Sequence, residues 1–349
     1  MTVAPIAVSA PALAPRVALS GAASPLGARV IRRLGETGAQ VALLDLDELT
    51  VAGRLSGIAE VDVIVDLGSS DYDARAAQRE STTWFTAATL AAADAAHADH
   101  VVFVSSAMVY GASSNNAVPL TEEAVLRPDV EFVFARQLAS AEELVEQWRL
   151  ARPDRSTTVL RPAIAVASDG SSRLATAYVS GLGRRLAEDD PPSQFLHLDD
   201  LAAAIATAVE QRLDGVFNVA PDGWVQGERV RALSGERPRL PLPERAAELV
   251  SRLRWRFQRG PIPPGLRSYT LESWVVANGL LRSSGWAPTV TNEQAYVEST
   301  ESKWWTMISP KRRQELALGA GVAAAVSAIA VAVLFGRRSY RRRRAARGA

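Results

Sequence analysis

The sequence predicts an α/β fold: a doubly wound parallel sheet, a smaller carboxy-terminal lobe and a carboxy-terminal transmembrane helix. Three observations carry this. From Val17 to Ser106, short β-branched runs alternate with longer Ala-rich amphipathic segments, the pattern of a parallel sheet with helices on both faces. Runs such as VDVIVDL and VVFV are apolar on both sides, as strands covered twice must be. Residues 316–336 carry no charge in 21 positions.

The first fifteen residues, 1–15, have no basic start and hold three prolines, so they lack the features of a secretory signal and read as a flexible lead. Strand VALS then enters the turn Gly21-Ala-Ala-Ser24-Pro25-Leu26-Gly27, and a helix follows as PLGARVIRRL. Strands VALLD and VDVIVDL come next, then a helix over roughly 80–97, then strand HVVFVSS. After Val159 the alternation loosens into Pro and Gly clusters at 189–192, 235–243 and 259–265, which suits a second lobe. The organisation expected is a core over 16–160 and a lobe with interleaved core elements over 161–300. A juxtamembrane linker (301–315), a span (316–336) and an Arg-rich tail (337–349) complete the chain.

Composition narrows the chemistry. The 349 residues are 48% hydrophobic and 22% charged, too apolar for general disorder. The absence of cysteine excludes a disulfide framework and a Cys nucleophile, and three histidines (His97, His100, His197) leave little for a zinc site. The net charge of +1 conceals a split: residues 311–349 hold ten Lys or Arg against Glu315, or +9, which leaves −8 for the first 310 residues. An acidic body without an interleaved aromatic and basic groove pattern does not suit nucleic acid.

The strand, turn and helix around Gly21 form the context that a dinucleotide fingerprint requires. Gly21 suits the tight turn, the helix start near Pro25 and Leu26 offers N–H groups to a pyrophosphate, and Gly27 lets helix and strand approach. Ser24 stands where a middle glycine is usual, and its hydroxyl is placed to add a hydrogen bond. Asp45 ends the second strand 18 residues after Gly27, where a carboxylate accepts ribose hydroxyls and repels a 2′-phosphate, favouring NAD over NADP. The alternative is that the glycines only shape a turn and Asp45 only closes a strand.

At Val101-Val-Phe-Val-Ser105-Ser106-Ala-Met-Val-Tyr110-Gly111, followed by Pro119-Leu-Thr121-Glu122-Glu123, the chain resembles the extended short-chain dehydrogenase/reductase family, the NAD-dependent epimerases and dehydratases of nucleotide sugars. Leu160-Arg161-Pro162, Phe195-Leu-His197-Leu-Asp199-Asp200, Gly215-Val-Phe-Asn218 and Gly285-Trp286-Ala-Pro288 agree in order and spacing over about residues 16–298. The resemblance implies a Rossmann-like core, a substrate lobe, a nucleotide-sugar ligand, and Leu67 and Ser105 beside the cofactor.

The same resemblance implies a Ser or Thr for the sugar hydroxyl, a Tyr as acid/base and a Lys four residues later. Ser106 matches the serine, whereas Phe134 stands in the tyrosine position and Leu138 in the lysine position. No change of register restores the pair, because no tyrosine lies between Tyr110 and Tyr178 and no lysine precedes Lys303. A phenyl ring exchanges no proton, and an isobutyl group supplies no field to lower a phenol from a pKa of about 10. Loss of positioned acid/base help forfeits about 10²- to 10⁴-fold in rate. Phe134 and Leu138, at i and i+4, pack as an apolar pair, while Arg136 falls on the opposite side of that helix. Tyr110 reads as structural, His197 as capping or packing the segment before the next helix, and Asp199 and Asp200 as the cap and first-turn carboxylate of that helix.

Further departures concern the nucleotide. Against the family pattern, Arg54 replaces the acid that meets adenine, the helix before that strand is deleted between Asp47 and Val51, Asp66-Leu67-Gly68 replaces His-Leu-Ala, and Phe85 replaces a glycine.

As a helix, residues 316–336 would be roughly 31 Å long, matching a hydrocarbon core of about 30 Å. Trp304 and Trp305 precede the span, and Gly319, Gly321, Ala323 and Ala325 give small residues at spacing four. The tail RRSYRRRRAARGA favours anionic lipid and the cytoplasmic face, as does a nucleotide-binding body, and one span cannot satisfy both. Lys311, Arg312 and Arg313 favour a cytoplasmic body. Residues 244–259 mix Leu249, Leu253, Trp255 and Phe257 with arginines, as a solvated lobe helix or one grazing the bilayer. The Ala-rich segment 86–96 suits pairing of two copies or a core face equally. Two functions follow: a single-pass, dinucleotide-binding sensor or scaffold at the cell membrane, or an active epimerase, dehydratase or reductase whose Ser106 works with another proton carrier.

Overall fold

The computed structural model describes residues 14–46, 60–67, 81–167, 172–182, 191–233 and 265–300. Its main sheet contains β1 (Arg16–Ser20), β2 (Gln40–Leu44), β3 (Val63–Asp66), β4 (His100–Val104), β5 (Ser156–Pro162) and β8 (Gly215–Val219), in the order β2-β1-β3-β4-β5-β8. Every neighbouring pair is parallel, with Val17 opposite both Val41 and Val63 in the registers of β1. β3 and β4 are buried along their whole length, in keeping with strands covered on both faces. The short strands β6 (Ile164–Val166) and β7 (Phe195–His197) form a separate parallel pair.

The chain moves from β1 outward to β2 and then back across β1 to β3. Right-handed crossovers therefore put the helices of the two halves on opposite faces, and a crevice opens at the carboxyl ends of β1 and β3. Helix α1 (Pro25–Glu36) has Ser24 as its amino-terminal cap and buries Leu26, Val30 and Leu34, one face at spacing four. It packs beside α5 (Leu198–Gln211), and α2 (Ser81–Ala95) packs beside α3 (Val133–Leu150). The 80–97 expectation thus corresponds to α2, ending two residues earlier, and its Ala92, Ala93 and Ala96 neighbourhood is core.

The remaining helices are α4 (Arg173–Gly181), α6 (Gly227–Leu233), α7 (Leu266–Leu271), α8 (Gly279–Ser283) and α9 (Asn292–Thr300). A run of aromatic contacts joins α4, α7 and α9 to the core. Phe132 lies 5.7 Å from Phe134 and 5.5 Å from Tyr269, Trp274 meets Tyr269 at 5.7 Å and Tyr178 at 5.6 Å, and Phe195 meets Tyr296 at 4.8 Å. Such pairs contribute about 0.5–1.5 kcal/mol each beyond the area they bury.

The cap of α5 falls to His197, as one reading of its position allowed, and not to Asp199. His197 Nδ1, not Asp199, accepts the Asp199 N–H at 3.2 Å, and Asp199 and Asp200 occupy the first turn. Asp200 is buried and accepts from the N–H groups of Thr289 and Val290 and from the Thr289 hydroxyl, fixing the turn after Trp286.

Among the described residues no helix is long and apolar enough to cross a membrane. The candidate span 316–336, Trp304 and Trp305, the Arg-rich tail, residues 47–59 with Arg54, and residues 244–259 lie outside the described residues.

Candidate functional site

A pocket opens beyond the carboxyl ends of β1, β4 and β5, where the switch in strand order predicts a ligand. At one end are Ser24, Pro25 and Leu26 of the turn; at the other are Ser105, Ser106, Phe134, Ile164 and Ala165. Leu174, Leu198 and Leu201 add apolar wall, and none of the described residues lining the pocket is ionisable.

The turn is tight because two side chains are missing. Gly21 has φ +69°, and a Cβ there would lie 3.0 Å from the Leu67 carbonyl carbon. A Cβ on Gly27 would lie 2.4 Å from the Ala22 carbonyl oxygen, so only glycine lets α1 start where it does. Ser24 caps α1: its Oγ accepts the Gly27 N–H at 3.0 Å, its carbonyl accepts the Ala28 N–H, and its hydroxyl hydrogen is left to donate. Pro25 has no N–H, which leaves Leu26 as the first-turn donor for an incoming anion.

Below the turn, Ser20 Oγ donates to buried Asp66 Oδ1 at 2.9 Å and accepts the Leu67 N–H at 3.3 Å. This pins the ends of β1 and β3 together and sets Leu67 against Gly21. Asp45 follows β2 directly and is exposed. Phe85 sits in α2, edge-on to Trp84 at 4.9 Å, and is not among the described pocket-lining residues.

Ser106 lies two residues past β4 and caps the 3₁₀ turn Ala107–Tyr110, accepting the Met108 N–H at 3.2 Å. Phe134 faces the pocket, whereas Leu138, one turn further along α3, is fully buried and is not part of the lining. Arg136 is exposed, on the other side of α3, and brings no cation to the site.

Behind this wall lies a charged network that sequence reading did not identify. Ser105 Oγ donates to Glu142 Oε1 at 2.5 Å, and Arg161 donates from Nε and Nη2 to the same carboxylate, at 2.6 Å for the shortest contact. Both charged side chains are 7% exposed. Arg161 Nη1 also donates to the Tyr110 hydroxyl at 2.8 Å, and that hydroxyl donates to Asn218 Oδ1 at 2.8 Å. Burial opposes the Arg161 charge, but the hydrogen bond and charge of Glu142 outweigh it and raise the guanidinium pKa. Burial also raises the Tyr110 hydroxyl, against the pull of Arg161, so this phenol stays protonated and structural. The one sequence signal was a carboxylate at i+8 from Phe134, on the face that Phe134 and Leu138 bury.

Among the described residues the site offers hydroxyls, a helix amino terminus and an apolar wall, and Ser105 joins that wall to the Glu142 carboxylate.

Residues 17–220 match the family described as NAD dependent epimerase/dehydratase. Uncharacterized proteins of Mycobacterium tuberculosis and Mycobacterium bovis are 26% identical over 219 residues, covering 61% of this chain and 57% of theirs, so the chain spans little more than half the length of these relatives. Among solved structures, the Thermus thermophilus UDP-glucose 4-epimerase complex with NAD has a TM-score of 0.61 at 16% identity, covering 82% of this chain and 98% of that one. RMD from Pseudomonas aeruginosa complexed with NADPH has a TM-score of 0.57 at 20% identity, covering 84% of this chain and 100% of that one.

Proposed function

Because the chain belongs to the NAD dependent epimerase/dehydratase family, we propose that it is a membrane-anchored, dinucleotide-binding protein that has given up the family's acid/base chemistry and serves as a sensor or scaffold. The observation that carries this reading is the pocket wall. Phe134 occupies it where the family resemblance places a tyrosine, and no described lining residue titrates.

The residues present fit a dinucleotide at the turn. Gly21 and Gly27 keep backbone close, the Leu26 N–H and the α1 amino terminus favour a pyrophosphate, and exposed Asp45 is placed to accept ribose hydroxyls. That carboxylate supports NAD over NADP, although the fold also accommodates NADPH in the Pseudomonas protein. Bound nicotinamide supplies hydride transfer; Ser106 supplies only a hydroxyl to orient a ligand, and Phe134 excludes water without moving a proton. A nucleotide sugar is the second ligand class this reading admits, by analogy with the Thermus epimerase. Residues 316–336 provide the anchor, Lys311, Arg312 and Arg313 hold the body on the cytoplasmic side, and the tail engages anionic lipid.

The test is retention: full-length protein purified in detergent is expected to carry a nicotinamide dinucleotide or to take up NAD in calorimetry. Folded protein that does neither would overturn the proposal.

One observation favours a second reading, an active enzyme. Ser105 lines the pocket and touches Glu142, so a hydroxyl joins the ligand space to a carboxylate. Arg161 engages both oxygens of that carboxylate, which opposes its taking a proton. Turnover of a nucleotide sugar by the purified protein, lost in a Ser105→Ala variant that keeps its denaturation midpoint, would establish this reading.

A further inference from the structure

Where β7 meets α5, one imidazole serves two neighbours, and it keeps both only in one protonation state. His197 Nδ1 accepts the Asp199 N–H at 3.2 Å and so caps α5. A ring nitrogen that accepts carries no hydrogen, so the neutral ring holds its proton on Nε2, which faces Glu298 Oε2 of α9 at 3.7 Å. Charge surrounds the ring. Among the described residues, Asp199 Oδ2 stands 3.7 Å from Nδ1, while Asp199 Oδ1 holds Arg29 and Arg32 of α1 at 3.0 and 3.1 Å. Asp200, the next carboxylate, is turned to Thr289 and Val290.

A second proton on the ring places a hydrogen on Nδ1. That nitrogen then opposes the Asp199 N–H instead of accepting it, and its partner becomes the Asp199 carboxylate, with Nε2 paired to Glu298. The cap of α5 is lost, and Asp199 is drawn away from Arg29 and Arg32. Both helices reach the pocket at these ends, where Leu198 and Leu201 of α5 face Pro25 and Leu26 of α1.

We propose that His197 is a proton-operated switch: acidification trades the α5 cap for carboxylate pairs, loosens the seam between α1 and α5, and lowers the affinity of the pocket. The effect on binding rests on the dinucleotide reading above; the exchange of partners does not.

The experiment is calorimetry with NAD on the full-length protein in detergent between about pH 8 and pH 5, where imidazoles titrate. His197→Asn is the comparison, since asparagine caps a helix well and takes up no proton. The native chain is expected to lose about three- to fivefold in affinity on acidification, the worth of one cap, and the variant less than about twofold. An equal loss in both chains, or none in the native one, would overturn the switch while leaving the dinucleotide reading intact. Absence of binding throughout would overturn the dinucleotide reading, and nitrogen NMR on the native chain's three histidines and the Asp199 amide then decides the switch. The ring is expected in the Nε2–H tautomer at the alkaline end, with the Asp199 amide signal shifting on acidification. An Nδ1–H tautomer, or an Asp199 amide that does not shift, would overturn the proposal.

Discussion

His100 begins β4, at the end of the strand away from the pocket, fully buried with its ring nitrogens on Ser156 and Thr158. Burial pushes its pKa down to about 4 from 6.5. The native ring stays neutral to about pH 4 while the unfolded chain takes up a proton near 6.5, so stability is full above pH 6.5 and declines as pH falls toward 4. The loss amounts to about 3 kcal/mol, measurable as a falling denaturation midpoint between pH 7 and pH 4.5 that is shallower in His100→Gln. Glu142 and Arg161 give a second prediction. Glu142→Gln leaves a buried guanidinium with no counter-charge and should cost about 3–5 kcal/mol in chemical denaturation, whereas an exposed change such as Arg136→Gln should cost almost nothing. The replacement of Tyr and Lys by Phe134 and Leu138 was readable from residue identities, because lysine is missing from the first 302 positions. Glu142 was not, since a carboxylate on a helix ordinarily reads as surface, and its partner lies 19 residues away on β5.

The turn into α1 is the element on which binding depends. The strand, turn and helix order was visible in the sequence, as was the need for glycine at 21 and 27. The capping use of Ser24 was not, because a serine before Pro-Leu-Gly suits a phosphate contact as well as a helix cap, and the bond from the Gly27 N–H is what identifies the cap. Gly27→Ala sets a Cβ against the Ala22 carbonyl and is expected to displace the turn, costing about 1–3 kcal/mol of stability and lowering dinucleotide affinity at least tenfold. Ser24→Ala removes a cap and should cost about 1 kcal/mol in stability, with a smaller effect on affinity. The α5 cap follows a similar logic. Asp199 is the better capping residue by type, yet it lies within the first turn, where it pairs with Arg29 at 3.0 Å and Arg32 at 3.1 Å, and His197 takes the capping position.

The main sheet was legible because its strands are consecutive apolar runs separated by amphipathic helices, a pattern that local sequence carries by itself. How the segments after Val159 pack was not, since what joins them to the core is contact across long separations, Phe132 with Tyr269 and Tyr178 with Trp274. The division of charge, −8 in the first 310 residues and +9 beyond, suits an acidic body held at a membrane by a basic, apolar end. Full-length protein is therefore expected in the membrane fraction, and a chain lacking residues 301–349 in the supernatant; equal partitioning of the two would remove the anchor from the account. The central claim is that the pocket holds a nicotinamide dinucleotide without passing hydride, and nicotinamide fluorescence on NAD-loaded, full-length protein offered nucleotide sugars tests it most directly. The predicted trace is flat, and a reduced-nicotinamide signal that disappears in Ser106→Ala would contradict it.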